Sequence, residues 1–310
     1  MKLASFVQLD GKPRLGAVIE QGGGARICDL AAASYHFRAT QAAGGFVLPS
    51  DMVRFLETGE HGLVLARKVL DWAADTGTAI APLEAVRLVA PVPRPPKLLA
   101  LAGNYQEHIV EGGGTAVDKS KVVPMLFMKP STTLSGQGEP LVLPGGVSRT
   151  VDWELEIAVV IGRRAKYVPA ETALEYVAGV CCVLDQTAED ILAENPRFLT
   201  RAKNFPIFFA FGPHLVTTDE VLARFGSLAD IVVGTYRNGT LQRSNSVANM
   251  LYSPQMLISF HSKVMPLLPG DVISTGTPGA VVISDGDVAE CRIAGIGSLV
   301  NPVVGAAGIN

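Results

Sequence analysis

The chain reads as an α+β protein dominated by β-strands: a small N-terminal α/β domain over residues 1–90 and a larger mixed β domain over residues 97–310. Three observations predict this. Helical periodicity is concentrated before residue 90, where Leu63, Ala66, Val69, Leu70 and Ala73 make one apolar stripe. The run Pro91-Val92-Pro93-Arg94-Pro95-Pro96 is a stiff, extended linker over 91–96. Beyond it the pattern turns to short apolar, β-branched runs separated by Gly/Pro turns, with few helices.

Taken in order, Leu3–Gln8 and Arg14–Ile19 form a hairpin-like pair turned at Asp10-Gly11-Lys12-Pro13. Gly22-Gly23-Gly24 is a turn before another short strand. It is no phosphate loop, since neither a G-x-G-x-x-G nor a Walker pattern follows. Helices are expected over 30–42, 51–57 and 62–74. Beyond the linker, a helix is expected after Pro169. Another starts at Thr217, with Glu220 completing a capping box. A third follows Ser253-Pro254, with Ser as N-cap and Pro at the first helical position.

The 310 residues suffice for a real core, and 48% hydrophobic against 18% charged residues excludes disorder as the overall state. The net charge is −3 with Lys and Arg dispersed, so nothing points to nucleic acid. Mean hydropathy is high at +0.30. No apolar stretch reaches the roughly 18 residues that span a bilayer, and the opening residues lack a signal-peptide core. The apolar excess is therefore assigned to a subunit interface. Cys28, Cys181, Cys182 and Cys291 make no C-x-x-C pair and fit a reducing cytoplasm, the expected location.

Chemistry gathers in the larger domain. In Val151–Ile161, Glu154 and Glu156 are two residues apart, so a strand points both the same way. The surrounding run is apolar and β-branched, and two carboxylates buried side by side require a cation. Asp185 ends a second apolar run, Tyr176–Leu184. Three carboxylates on adjacent strand ends would make an all-oxygen site for a hard divalent ion. The residues alone leave other readings open: one solvated strand face for the Glu pair, and the N-cap of a helix beginning at Gln186 for Asp185.

His108 and Glu111 share a helical face at i and i+3, where a carboxylate orients an imidazole as a general base. A solvated polar turn fits equally. Gly112-Gly113-Gly114 and the polar stretch after it suit a lid. Thr275-Gly276-Thr277-Pro278 ends a strand in a turn whose N–H groups and hydroxyls could bind a carboxylate. Lys203, taken alone, reads as a surface lysine.

Several stretches, in order, resemble the fumarylacetoacetate hydrolase family in its bacterial 2-oxo-acid branch, over about Lys97 to Val304. They are Gly103-Asn104-Tyr105 with His108 and Glu111, Phe127-Met128-Lys129-Pro130-Ser131, Trp153-Glu154-Leu155-Glu156, Leu184-Asp185-Gln186-Thr187-Ala188, Arg201-Ala202-Lys203-Asn204-Phe205, Arg237-Asn238-Gly239 with Gln242, and Gly270–Pro278. The resemblance implies a rolled mixed β-sandwich behind a smaller N-terminal domain, assembled as a homodimer. It implies Glu154, Glu156 and Asp185 as ligands of Mg²⁺, with Mn²⁺ or Ca²⁺ as substitutes. It places His108 and Glu111 on a lid that polarises the attacking water, and Lys203 in the pocket. It implies substrate contacts from Thr277, Gln242, Tyr105 and Lys129, the last alternatively structural.

The chain departs from the family's pattern at Ala102-Gly103 and at Pro206-Ile207, which predicts a pocket open to bulkier or more apolar distal groups. The implied activity is hydrolysis of a C–C bond in an acylpyruvate-type 2-oxo acid through an enolate. Isomerisation of a hydroxymuconate-type dienoate, or decarboxylation or lyase chemistry on an oxaloacetate-like acid, is the alternative. A non-catalytic metal-binding dimer is the reading from a different class, and the His108–Glu111 pair argues against it. No membrane or nucleic-acid partner is expected.

Overall fold

The computed structural model describes residues 1–40 and 46–305. The hairpin is present: β1 (Lys2–Val7) and β2 (Arg14–Gln21) are antiparallel, and β3 (Gly24–Asp29) extends them. α1 (Leu30–Thr40), α2 (Met52–Glu57) and α3 (Gly59–Thr76) follow; positions 41–42 of the first expected helix lie outside the described residues. Asp51 caps α2 by accepting from the Arg54 N–H at 2.9 Å, and Gly77 ends α3 in the left-handed conformation that glycine adopts without strain. Short β4 (Ile80–Pro82) and β5 (Arg87–Val89) lead into the proline-rich stretch.

The next elements are β6 (Leu98–Ala102), α4 (Gln106–Glu111), β7 (Met125–Lys129), β8 (Leu134–Ser135) and β9 (Leu141–Val142). The long strands β10 (Val151–Ile161) and β11 (Val177–Ala188) are buried throughout. α5 (Glu189–Glu194), α6 (Leu199–Lys203), β12 (Phe209–Thr217) and α7 (Thr218–Phe225) come next. β13 (Val232–Arg237) and β14 (Thr240–Ser246) form a hairpin. α8 (Pro254–Val264), β15 (Val272–Ser274), β16 (Ala280–Ile283), β17 (Val288–Ile293) and β18 (Gly297–Val304) are the last elements among the described residues.

Among the described residues the strands make two mixed sheets. The larger runs β4-β3-β2-β1-β12-β11-β10-β15-β6-β7, with β16 on β10, β5 on β1 and β8 on β12; the smaller runs β14-β13-β17-β18-β9. The N-terminal strands are hydrogen-bonded into the large sheet, since β1 pairs antiparallel with β12.

β10 shows why its run lacks the alternation of a half-wet strand: both faces are dry. Trp153, Leu155, Ile157, Val159 and Ile161 face the core shared with the small sheet. Ala158 and Val160 face the core shared with α1, α2 and α3. Asp152, Glu154 and Glu156 have the parity of the second set, so acids occupy one end of a face that is apolar at the other.

Three local expectations are corrected. The segment after Pro169 is a 3₁₀ stretch, Ala170–Tyr176, not an α-helix. Thr217 makes no capping bond; its Oγ1 accepts from the chain's amino terminus at 2.7 Å, and Glu220 pairs with that same ammonium at 2.6 Å. Asp185 is no N-cap: β11 continues through Ala188 and the helix starts at Glu189. The Ser253 cap holds, accepting from the Met256 N–H at 3.3 Å.

Candidate active site

The antiparallel register of β10 on β11 sets Glu154 directly opposite Asp185. Glu156, next on the same face, completes a group whose ligand oxygens lie within 4.8 Å of one another. Asp185 is fully buried and Glu156 is 1% exposed. Each acid is fixed by neighbours. Glu156 Oε2 accepts from Ser274 Oγ at 2.5 Å and from the Gly276 N–H at 2.7 Å, both at the end of β15. Glu154 Oε1 accepts from Thr187 Oγ1 at 3.2 Å, and its Oε2 from Lys203 Nζ at 2.6 Å. Asp185 accepts from Lys203 Nζ at 3.0 Å on one oxygen and from Lys129 Nζ at 2.5 Å on the other.

The electrostatics follow from burial. The Glu156 carboxyl is pushed up to about 8 by burial, and further by Asp185 and Glu154. Burial works against the Lys203 ammonium, but Asp185 and Glu154 outweigh it and hold it above the ordinary lysine range. Lys129 goes the other way, lowered by burial although Asp185 opposes the shift. Were all three acids ionised, the two lysines would leave one negative charge unmatched.

The group fits a hard divalent ion. All its donors are carboxylate oxygens, and Glu156 Oε1 is buried without a hydrogen-bond partner, an acceptor held in place and unused.

Around the acids the expected residues divide. His108, on α4, brings Nε2 to 3.9 Å from Glu154 Oε1 and is partly exposed, at the mouth of the group. Tyr105 is fully buried, and its hydroxyl has no partner. Burial raises its pKa, with Glu156 adding to the shift, so the phenol stays protonated as a donor facing the acids. Thr277 is buried beside Gly276, its hydroxyl closing its own turn through Gly279 at 3.1 Å. Lys203 is buried, against its reading as a surface residue.

Lys129 follows its structural alternative, and Gln242 and the His108–Glu111 pair make other contacts than those expected. Lys129 gives its ammonium protons to Asp185 and to the carbonyls of Lys203 and Phe208, so it clamps Asp185 and leaves no donor for substrate. The Gln242 amide donates locally, to the Thr240 carbonyl at 3.1 Å. Its neighbour Arg243 is exposed, with its Cδ and Nε close to Gly279. The His108–Glu111 hydrogen bond is not formed; Glu111 Oε1 accepts from Arg243 Nη1 at 3.0 Å.

Sequence reading gave no role to Ser274, Thr187 or Arg243, and the Gly276 N–H, in a turn expected to bind a carboxylate, holds that of Glu156. Sequence reading also missed a second acidic group, Asp152, Glu154 and Glu189. The alternation that pairs Glu154 with Glu156 reaches Asp152 when carried one step back. Nothing local marks Arg243, whose partner is 132 residues away.

Comparison with known proteins agrees with this architecture. Residues 97–304 match the fumarylacetoacetate (FAA) hydrolase C-terminal family. The chain is 34% identical over 301 residues to a mitochondrial oxaloacetate tautomerase of Bos taurus, covering 94% of this chain and 88% of that one. It superposes on a fumarylacetoacetate hydrolase from psychrophilic Exiguobacterium antarcticum with a TM-score of 0.77 at 29% identity, covering 98% and 99% of the two chains. A maleylpyruvate hydrolase from Sphingobium sp. SYK-6, solved with manganese(II) and pyruvate, gives a TM-score of 0.74 at 28% identity over 98% and 99%. The family is one of enzymes, with isomerase and tautomerase as well as hydrolase members. Among the described residues no helix is long and apolar enough to cross a membrane. This chain, with its buried acid trio at the paired ends of β10 and β11, belongs to the fumarylacetoacetate hydrolase family.

Proposed function

We propose that the chain hydrolyses a C–C bond of an acylpyruvate-type 2-oxo acid with a divalent metal, Mg²⁺ in the first instance, at Glu154, Glu156 and Asp185. The observation that carries the reading is the unused Glu156 Oε1 inside an all-carboxylate group, with a histidine on a short helix at its mouth. The solved relative that holds manganese(II) and pyruvate supports the same pairing of ion and ligand class.

When bound, the ion supplies positive charge against the 2-oxo and carboxylate oxygens of the substrate. The chain's own residues do the rest. Tyr105 and Lys203 present a donor and a cation to an anionic ligand. His108 takes a proton from a water molecule as the water oxygen attacks the distal carbonyl. The C3–C4 bond breaks, its electron pair goes to C3, and C3 takes a proton. Pyruvate and a second acid leave. Glu111, whose Oε1 is engaged by Arg243, would support His108 by turning a carboxylate oxygen toward it. We read the assembly as a homodimer.

A second reading is a proton shift on the same class of acid, as in isomerisation or tautomerisation. It is favoured by the similarity to oxaloacetate tautomerase and by the engagement of Glu111 with Arg243 rather than His108. Product analysis on acylpyruvates, oxaloacetate and hydroxymuconate-type acids, with Mg²⁺ and with Mn²⁺, separates them. Pyruvate release from an acylpyruvate is the expected result. Turnover confined to the keto–enol exchange of oxaloacetate would replace hydrolysis with the second reading.

A further inference from the structure

The acids on β10 do not stop at the trio. Asp152 precedes Glu154 on the same strand face, and Glu189 stands in the first turn of α5, directly after β11. Carboxylate oxygens of Asp152, Glu154 and Glu189 lie within 4.8 Å of one another, as those of the trio do. Glu154 belongs to both groups.

The two groups differ in how their charge is met. Lys203 and Lys129 are committed to Glu154 and Asp185. Among the described residues neither Asp152 nor Glu189 forms an ion pair with any basic side chain. Asp152 is only 3% exposed, and its Oδ1 has no hydrogen-bond partner. Within this group only Glu154 has a basic partner, and a buried acceptor such as Asp152 Oδ1, left without a donor beside other carboxylates, is a costly arrangement unless something fills it.

We infer that Asp152, Glu154 and Glu189 form a second site for a hard divalent cation, next to the trio and sharing Glu154 with it. All its donors are carboxylate oxygens, which selects Mg²⁺, Mn²⁺ or Ca²⁺ over thiophilic or imidazole-seeking metals. It is the weaker of the two sites. Glu189 is only half-buried, and the shared Glu154 carboxylate is already held by Lys203 and Thr187.

The test is to count ions. Metal-free protein is titrated with Mn²⁺ alone, and free Mn²⁺ is read by its electron paramagnetic resonance signal. Wild type should bind two ions per chain in two steps of unequal affinity. Glu189→Gln should keep the tighter ion and lose the weaker. Asp152→Asn should behave likewise, and circular dichroism should show both variants folded. One ion per chain in wild type, with the same ion retained unchanged in both variants, overturns the second site and leaves the proposed function standing. Loss of both ions from folded Glu189→Gln also overturns it, because the two groups would then be one site. Absence of any Mn²⁺ binding removes the metal assignment in the proposed function and this site together.

Discussion

Two sets of ion pairs border the candidate site, one dry and one wet. On the inner side Lys203 and Lys129 meet Glu154 and Asp185 with side chains no more than 11% exposed. On the outer side Arg243 meets Glu111 with side chains 42% and 48% exposed. Both are close contacts, yet their physics differs. The inner pairs hold groups that would be very costly to leave alone, on strands that cannot move without breaking the large sheet. The outer pair is screened by water and joins a six-residue helix to an edge hairpin, so it can be exchanged at little cost. Ion-holding geometry therefore rests on the rigid side, and access and base orientation on the exchangeable side.

The largest expected effect lies on the inner side. Glu154→Ala removes a donor from the trio, so turnover and tight Mg²⁺ binding should both be lost. Lys203 keeps Asp185 as its partner, so the fold should remain, and the ion-free protein is relieved of one repelling carboxylate. Calorimetric titration and a melting curve check this. Metal binding equal to the parent's would sink the ligand assignment.

Next comes His108→Ala on the outer side. If His108 activates water, kcat on an acylpyruvate should fall about 10²–10⁴-fold. Ion affinity should hardly change, because the imidazole stands 3.9 Å from Glu154 and is no proposed ligand. Undiminished acylpyruvate cleavage would remove the base role. Loss of ion binding instead would erase the division between the two sides.

A third effect is about tenfold per pH unit. The Glu156 carboxyl, ordinarily near 4.5, is pushed up to about 8 by burial and its acidic neighbours. Between these values the folded, ion-free protein holds a proton that the unfolded chain releases. That group's contribution to stability is therefore full below about 4.5 and is lost as pH rises through about 8. An ion that uses Glu156 must displace the proton, so affinity should weaken about tenfold for each unit below about 8. Titration in buffers of different ionisation enthalpy counts the released proton. A flat affinity from pH 6 to 8 would show that Glu156 is already ionised without the metal.

What was legible in the sequence divides along the same line. Glu154 and Glu156 could be paired because a strand's period of two is local. Asp185 opposite Glu154 is a matter of register between two long strands, so the residues alone offered it only beside an N-cap reading, and the family resemblance favoured the ligand role. On the outer side Gln242 rests on the family resemblance alone. β14, Thr-Leu-Gln-Arg-Ser-Asn-Ser, is almost wholly polar, so its pattern does not say which of its side chains serve the site. The Thr217–Glu220 box failed for a similar reason: a sound local pattern was overruled by a distant group, the amino terminus. The joining of β1 to β12 was equally hidden, since a hairpin's own sequence does not name its outer neighbour.

The smallest effect sharpens the comparison most. Arg243→Ala cuts a half-exposed pair and should cost stability only about 0.2–1 kcal/mol. Its consequence should instead be kinetic. With Arg243 gone, Glu111 has no competing partner among the described residues and is free to turn toward His108, three residues back on the same helix. If the Arg243 pair holds the lid away from the base, the variant should orient His108 more readily, and kcat should be unchanged or raised a few-fold. If Arg243 instead contacts the distal part of the substrate, KM should rise while kcat holds. Charge removal at Glu111, by Glu111→Gln, breaks the same pair but also deprives His108 of its support, so kcat should fall with little change in KM. Kinetics of the two variants side by side separate a latch from a substrate contact. A large loss of thermal stability in either would mean that the outer pair is structural after all, and the division between a rigid and an exchangeable side would fail.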